Sequence, residues 1–126
     1  MVTEKKFKTV AIIGGGLIGS SLAHSIRENH LCDNLRIFDS KTDVRKKLKE
    51  IFSSHEICEN LNETVTEADL VFLCVPVGSM RDLAKKISNL LKKGCILTDT
   101  GSTKNSVIKD IQPFIKEDVW FIPSHP

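Results

Sequence analysis

The sequence lacks any apolar run long enough to cross a membrane. Its longest apolar stretch, Leu70–Val77, is interrupted by Pro76, whereas a spanning helix needs about 20 consecutive, predominantly apolar residues. The lysines near the N-terminus are followed by an apolar stretch that runs directly into glycines, which is typical of a first strand and not of a signal peptide. We therefore predict a protein with no membrane partner.

The sequence also lacks paired cysteines. Its four cysteines form no CxxC pair and show no spacing typical of a zinc site. Cys74 and Cys95 lie in apolar, strand-like runs, where a free thiol packs as a small hydrophobic side chain. We therefore expect no disulfide bonds, no metal site and a reducing, cytoplasmic compartment.

Neither charge sign is in large excess, because 18 Lys and Arg residues face 16 Asp and Glu residues, for a net charge of +2. The basic clusters Arg45–Lys47 and Lys92–Lys93 are interspersed with acids on predicted helix surfaces, which favours solvated faces over a nucleic-acid-binding patch. Repeats, low-complexity tracts and Pro- or Ser-rich linkers are absent. The length and ordinary composition indicate one globular domain over residues 1–126.

What the sequence does contain is an alternation of short apolar runs and amphipathic stretches. The apolar runs predict strands at Phe7–Ile13, Leu35–Asp39, Leu70–Val75, Cys95–Thr98 and Val119–Ile122, with a weaker candidate at His55–Cys58. The periodic stretches predict helices at Leu17–Asn29, Val44–Phe52, Val77–Leu91 and from about Thr103 to Pro113. Asn60–Ala68 is predicted as a loop with one helical turn, and Gly94 as the C-terminal cap of the helix before it. This order predicts a doubly wound, mostly parallel, Rossmann-type α/β domain.

Residues 14–19 satisfy the pattern G-x-G-x-x-G between a predicted strand and a predicted helix, the context in which the pattern binds a dinucleotide. The first glycine permits a tight turn, the second lets the backbone approach a pyrophosphate, and the third lets the helix pack closely. Unpaired amides and the dipole at the helix start favour phosphates. The alternative is a glycine-rich turn without a ligand. We predict that the cofactor contacts Gly14, Gly16, Leu17, Ile18 and Gly19.

Asp39 stands at the end of the second predicted strand, twenty residues after Gly19. An acid at this place hydrogen-bonds the adenosine ribose hydroxyls and repels a 2′-phosphate, which favours NAD over NADP. The neighbouring Ser40 is a further candidate contact, and Lys41 weakens the preference because a lysine there could pair with a phosphate. The alternative is that Asp39 only caps a strand end or a helix.

Three later segments follow predicted strands and contain polar or special residues. Val75-Pro76 ends one strand, Thr100-Gly101 follows another, and Ser124-His125-Pro126 follows the last. Because ligands of open parallel sheets sit at the carboxyl ends of the strands, all three should converge with the glycine turn on one edge. We therefore add Val75, Pro76, Thr100 and Gly101 to the predicted cofactor contacts.

At this point the sequence resembles the prephenate and arogenate dehydrogenase family. The matching stretches are Gly-Leu-Ile-Gly-Ser-Ser-Leu-Ala, Val-Phe-Leu-Cys-Val-Pro-Val, Thr-Asp-Thr-Gly-Ser-Thr-Lys and the terminal His-Pro, in the family's order. The resemblance implies NAD-dependent oxidative decarboxylation of prephenate to 4-hydroxyphenylpyruvate, in tyrosine biosynthesis. It also implies that His125 accepts the proton of the ring hydroxyl, and that Ser102 lies near that hydroxyl. Alternatively, Ser102 only caps a helix, and His125 is a solvent-exposed terminal residue.

Two features of this sequence depart mildly from the family, since Gly15 stands where a larger apolar residue is common and Ser20 where glycine is common. The family continues after His-Pro with a helical second domain, expected to supply the homodimer interface and the groups that hold the substrate. We therefore expect little or no turnover by residues 1–126 alone. The open alternatives are another hydroxyacid dehydrogenase and a dinucleotide-binding module without catalysis, and the sequence does not separate prephenate from arogenate as substrate.

Overall fold

The computed structural model describes residues 7–101 and 104–123. In chain order these residues form β1 (Phe7–Ile13), α1 (Leu17–Glu28), β2 (Cys32–Phe38), α2 (Thr42–Ile51), α3 (Leu61–Val65), β3 (Leu70–Leu73), α4 (Val77–Ile87), β4 (Ile96–Asp99), α5 (Lys104–Ile111) and β5 (Trp120–Phe121). Short 3-10 turns at Ser54–Glu56 and Gln112–Phe114 follow α2 and α5. No helix in this part of the chain is both long enough and apolar enough to cross a membrane.

The strands form one parallel sheet in the order β2-β1-β3-β4-β5. The chain moves outward from β1 to β2 and then returns to the other side of β1, so the direction of winding reverses between β1 and β3. This reversal opens a crevice at the carboxyl ends of the two strands, where ligands of such sheets bind. The sheet order therefore places the crevice beside the residues that follow β1 and β3.

Helices cover both faces of the sheet. In β1, Val10 and Ile12 pack into a cluster with residues of α1 and α2, whereas Ala11 and Ile13 pack into a second cluster with residues of α4 and α5. All four side chains are at most 3% exposed, as expected for a central parallel strand that is covered on both sides. The predicted doubly wound α/β fold is confirmed.

The predicted strand at His55–Cys58 is wrong. A 3-10 turn occupies Ser54–Glu56, and only a single parallel bridge joins Ile57 to Ile37 of β2. A capping box explains the turn, because the Glu56 carboxylate accepts a hydrogen bond from the Ser53 amide at 2.9 Å. The local side-chain bonds therefore compete with an extended conformation.

The predicted end of α4 is also wrong. The helix ends at Ile87, and its apolar stripe continues through Leu90 and Leu91 in a turn and not in the helix. Gly94 consequently does not cap α4. Its φ is +85°, and its amide donates to the Asp118 carbonyl at 2.6 Å. Gly94 therefore provides the left-handed conformation of the turn that leads into β4.

The boundaries of four strands differ from the prediction. β3 ends at Leu73 and not at Val75, and β4 covers Ile96–Asp99 and not Cys95–Thr98. β2 begins at Cys32, three residues before the predicted Leu35, because its first residues pair with the start of β1. β5 contains only Trp120 and Phe121, although the Ile122 amide still donates to the Leu97 carbonyl at 2.9 Å. None of these differences changes which strands form the parallel sheet.

The amino-terminal edge of the sheet is held by the side chain of Asp69. One carboxylate oxygen accepts hydrogen bonds from the amides of Lys8 and Thr9, at 3.0 and 2.9 Å. The other oxygen lies 2.6 Å from the Lys92 ammonium. The hydrogen bond from Lys92 and that from the Thr9 amide hold the pKa of Asp69 below its usual value, against the opposing effect of burial. Asp69 therefore joins β1, β3 and the turn before β4 as a carboxylate.

Replacing Asp69 with asparagine is expected to lower the free energy of unfolding at neutral pH by about 1–3 kcal/mol, the usual contribution of hydrogen bonds to a charged group. Because the pKa is lowered in the folded state, this stabilisation is present above the ordinary value of 3.8 and is lost as the pH falls through the folded value. Urea unfolding at neutral and acid pH should show the two proteins converging below that pH. Asp118→Asn, at an exposed site of the same edge, is the control, and an equal loss in both variants would contradict the assignment.

Candidate dinucleotide-binding site

A cleft of about 650 Å³ opens at the carboxyl edge of the sheet, where the winding reverses. Its walls come from the glycine turn after β1, the residues after β2, the start of α2, the first residue of α3, the segment after β3 and one face of α4. Predicted contacts that line it are Gly14, Gly16, Asp39, Ser40, Val75 and Pro76. The structure thus brings together side chains and backbone from three strand ends that are separated by up to sixty residues.

Gly14 makes the turn that closes the end of β1. Its φ is +109°, a conformation that L side chains rarely adopt. A Cβ atom at Gly14 would overlap the backbone carbonyl of Cys74, and its amide donates to the Phe38 carbonyl at 2.7 Å. Similarly, a Cβ atom at Gly19 would overlap the carbonyl oxygen of Gly14. The fold therefore requires glycine at both positions. Because neither residue has a side chain, α1 can start close to the sheet.

Gly16 differs from both, because a Cβ atom there would meet nothing within 4 Å. It is the N-cap residue of α1 and supplies no side-chain cap to the first amides of the helix. The first turn of α1 contains no acidic residue. Open space and uncapped amides at a helix start fit an anionic group such as a pyrophosphate.

Leu17 and Ile18 follow in the first turn of α1 and are 85% and 59% exposed. Neither residue lines the cleft that contains Gly16. Ser20, one of the departures from the family pattern, donates its hydroxyl to the Gly15 carbonyl at 3.0 Å. The serine therefore stabilises the glycine turn and leaves the open side at Gly16 free.

Asp39 directly follows β2 and lies beside the glycine turn, where it lines the same cleft as Gly16. Its Oδ2 accepts a hydrogen bond from the Gly15 amide, and its Oδ1 accepts one from the Lys41 amide, both at 2.9 Å. A carboxylate oxygen accepts more than one hydrogen bond, so both oxygens keep capacity for ribose hydroxyls. The side chain is thus part of the cleft wall and also ties the glycine turn to the end of β2.

Cys74, Val75 and Pro76 form the wall that follows β3. Burial raises the pKa of the Cys74 thiol to about 11, against the effect of a hydrogen bond with Thr100. The thiol is therefore protonated at neutral pH and is not a nucleophile. This wall is apolar and fits a flat, uncharged ring or sugar face.

Thr100 and Gly101 follow β4, next to the wall after β3. The Thr100 amide and hydroxyl both donate to the Leu73 carbonyl, at 3.1 and 3.4 Å, and the Gly101 amide donates to the Asp99 carboxylate at 2.7 Å. Asp99 is fully buried, and its bond to Gly101 shapes the turn. The structure therefore gives Thr100 and Gly101 structural contacts, and neither lines the cleft.

The two predicted catalytic residues, Ser102 and His125, lie outside the described residues. Among the residues that are described, no group of three or more His, Cys, Asp or Glu side chains is arranged to hold a metal ion. The four cysteines are free thiols.

Sequence reasoning missed one wall of the cleft. Ser79, Asp82 and Lys86 of α4 line it together with Leu83. Their spacing of three and four residues places the three polar side chains on one helix face. We interpreted this helix only by its apolar stripe. The signal was available in the position of the helix, since α4 starts at the carboxyl end of a central strand.

Comparisons with known proteins agree with this geometry. Residues 22–126 match the family model for the nucleotide-binding domain of prephenate dehydrogenase. A cyclohexadienyl dehydrogenase from Zymomonas mobilis is 39% identical over 120 residues, which cover 95% of this chain and 41% of that protein. A prephenate dehydrogenase from Lactococcus lactis is 36% identical over 124 residues, covering 94% of this chain and 34% of that protein.

A solved structure shows the same similarity. The prephenate dehydrogenase of Aquifex aeolicus, in complex with hydroxyphenyl propionate and NAD⁺, superimposes with a TM-score of 0.81 at 26% identity. The match covers 94% of this chain and 41% of that one. The chain thus spans between 34% and 41% of the length of these relatives.

Proposed function

Because this chain belongs to the prephenate dehydrogenase family, through that family's nucleotide-binding domain, we propose that it binds NAD in the cleft and forms the cofactor half of a prephenate dehydrogenase. The observation that carries the proposal is that the open helix start at Gly16, which has no side-chain cap of its own, and the Asp39 carboxylate line the same cleft. The NAD⁺ in the Aquifex aeolicus relative supports the choice of cofactor. The reducing, cytoplasmic setting is part of the proposal and is supported by the four free thiols.

Different residues of the cleft would bind different parts of the cofactor. The amides after Gly16 would hold the pyrophosphate, and Asp39, with Ser40 beside it, would accept from the adenosine ribose hydroxyls. The apolar wall of Val75 and Pro76 would lie against a sugar or ring of the cofactor. Gly101 and Thr100 would shape the edge where the nicotinamide side of the site begins.

When bound, NAD supplies the acceptor for the hydride that leaves the substrate ring. His125 would accept the proton of the ring hydroxyl on an imidazole nitrogen, a role that suits a group with an ordinary pKa near 6.5. Ser102 would hold the same hydroxyl in place. With the loss of the hydride, the carbon–carbon bond to the ring carboxylate would break, carbon dioxide would depart, and the electrons of that bond would complete the aromatic ring. His125 would then return the proton to the phenolate oxygen, which gives 4-hydroxyphenylpyruvate.

Calorimetric titration of the 126-residue chain with NAD, and separately with NADP, tests the proposal. We expect binding of NAD and weaker binding of NADP, because Asp39 repels a 2′-phosphate. The same chain with NAD and prephenate should form little or no NADH, since the relatives are more than twice as long and the substrate groups are expected in their remaining part. Absence of binding to either dinucleotide would contradict the proposal, and rapid NADH formation would contradict the division into two halves.

A further inference from the structure

We propose that Glu59 is a positioning residue for cofactor choice, which holds the Arg45 guanidinium away from the adenosine ribose and thereby favours NAD over NADP. The inference rests on the proposed function and names a group outside the cleft that controls its specificity. Glu59 does not line the cleft, so it would act only through Arg45.

Arg45 lies beside the residue that reads the ribose. Its Nη1 donates to the Asp39 carbonyl at 2.8 Å, and its Nη2 lies 3.3 Å from the Thr42 hydroxyl. Its Nε donates to the Glu59 carboxylate at 3.1 Å, and the guanidinium lies over the Phe38 ring, 5.7 Å from its centre. The side chain is 16% exposed. Arg45 is therefore held on three of its nitrogens, within reach of Asp39 but outside the cleft wall.

Other residues at the N-terminal end of α2 line the cleft. Lys41 at its N-cap and Val44 in its first turn both line the cleft, whereas Arg45, the next residue, does not. A guanidinium near the acid that follows β2 is the group that accommodates a 2′-phosphate in NADP-binding sites. Arg45 thus has the chemistry for NADP but not the orientation.

Glu59 supplies the restraint on that orientation. Its carboxylate bridges Arg45 and Lys49, which are one helical turn apart, with 2.6 Å from Oε1 to the Lys49 ammonium. The hydrogen bond from Lys49 and its positive charge, with a smaller effect of Arg45, hold the pKa of Glu59 below its usual value. The carboxylate is therefore charged throughout the neutral range. Without it, two cations four residues apart on α2 would repel each other.

Removal of this carboxylate would release the Nε of Arg45. The guanidinium would then be held only by the bond from Nη1 to the Asp39 carbonyl and by the 3.3 Å contact of Nη2 with the Thr42 hydroxyl. The guanidinium could then pair with a 2′-phosphate, or with the Asp39 carboxylate, whose repulsion of that phosphate would be reduced. Pairing with Asp39 would also compete with the ribose hydroxyls of NAD. Both movements raise the affinity for NADP relative to the affinity for NAD. The ratio of these two affinities is therefore the quantity to measure.

The test is calorimetric titration of the wild-type chain and the Glu59→Gln variant with NAD and with NADP. We expect the affinity for NADP relative to NAD to rise roughly three- to tenfold in the variant, as for a gained or released exposed charge pair. The double variant Arg45→Gln/Glu59→Gln should return the ratio to the wild-type value. A loss of stability alone would lower both affinities by the same factor and leave the ratio unchanged.

Glu50→Gln is the matched control, because it removes an exposed carboxylate from α2, the helix that contains Arg45, without removing a partner of Arg45. An equal rise of the ratio in Glu50→Gln would show a general effect of charge and overturn the inference. An unchanged ratio in Glu59→Gln would also overturn it, while NAD binding by the wild-type chain would leave the proposed function intact. If the wild-type chain binds neither dinucleotide, the proposed function itself fails.

Discussion

Replacing Gly14 with alanine is expected to lower the free energy of unfolding by about 3 kcal/mol or more, because it combines backbone strain with overpacking. The strain arises from the φ of +109°, and the overpacking from the contact of the new methyl group with the Cys74 carbonyl. That carbonyl belongs to the backbone between β3 and the cleft wall and cannot rotate away. Thermal or urea unfolding of the variant measures the loss, and NAD binding should disappear with the fold.

Gly16→Ala is the matched variant, since the same methyl group at Gly16 meets nothing within 4 Å. The free energy of unfolding should change by less than about 1 kcal/mol, as for a surface substitution near a helix start. The affinity for NAD should nevertheless fall roughly tenfold or more, because the methyl group occupies the space through which a pyrophosphate approaches the backbone. Gly14→Ala with wild-type stability, or Gly16→Ala with wild-type affinity, would contradict the assignment of the turn.

Replacing Asp39 with asparagine is expected to weaken NAD binding about 10- to 100-fold, the loss that corresponds to hydrogen bonds with a charged acceptor. The affinity for NADP should fall less, because the repulsion of the 2′-phosphate is removed at the same time. Calorimetric titration with both dinucleotides measures the two changes. The preference for NAD should therefore shrink or reverse.

The structure gives Asp39 a second role, since it accepts hydrogen bonds from the Gly15 and Lys41 amides. If that role were its only one, the variant would weaken both dinucleotides by the same factor. Asp43→Asn is the control for charge alone, because Asp43 is exposed in the first turn of α2 and does not line the cleft. A similar loss in both variants would show that Asp39 acts only through the net charge.

The sequence was sufficient to predict those features that depend on local pattern. The apolar run of β1, the glycine turn and the acid after β2 lie close together in the chain, and each has a physical requirement at a fixed spacing. The fold and the convergence of the strand ends followed from these patterns, because parallel strands must share one carboxyl edge. The residues that line the cleft after β1, β2 and β3 were accordingly predicted.

The features that the sequence analysis did not predict depend either on contacts between distant residues or on polar side chains that the hydrophobic pattern leaves out. The bond from Gly15 to Asp39 joins positions 24 residues apart, and Glu59 follows a segment that was wrongly predicted as a strand. The capping box at Ser53 and Glu56 decided that segment through two side-chain bonds, which a hydrophobic pattern does not contain. The polar face of α4 was overlooked because its apolar stripe accounted for the helix without it.

The most direct test of the central claim is an amide proton–nitrogen NMR spectrum of the isotopically labelled chain, recorded with and without NAD. We expect the largest shifts at the amides of Gly15, Gly16 and Leu17 and at the residues after β2 and β3 that line the cleft. The amides at the opposite edge, near Asp69, should not change. Large shifts at that opposite edge, or no shifts at the glycine turn with saturating NAD, would contradict the assignment of this cleft as the dinucleotide site.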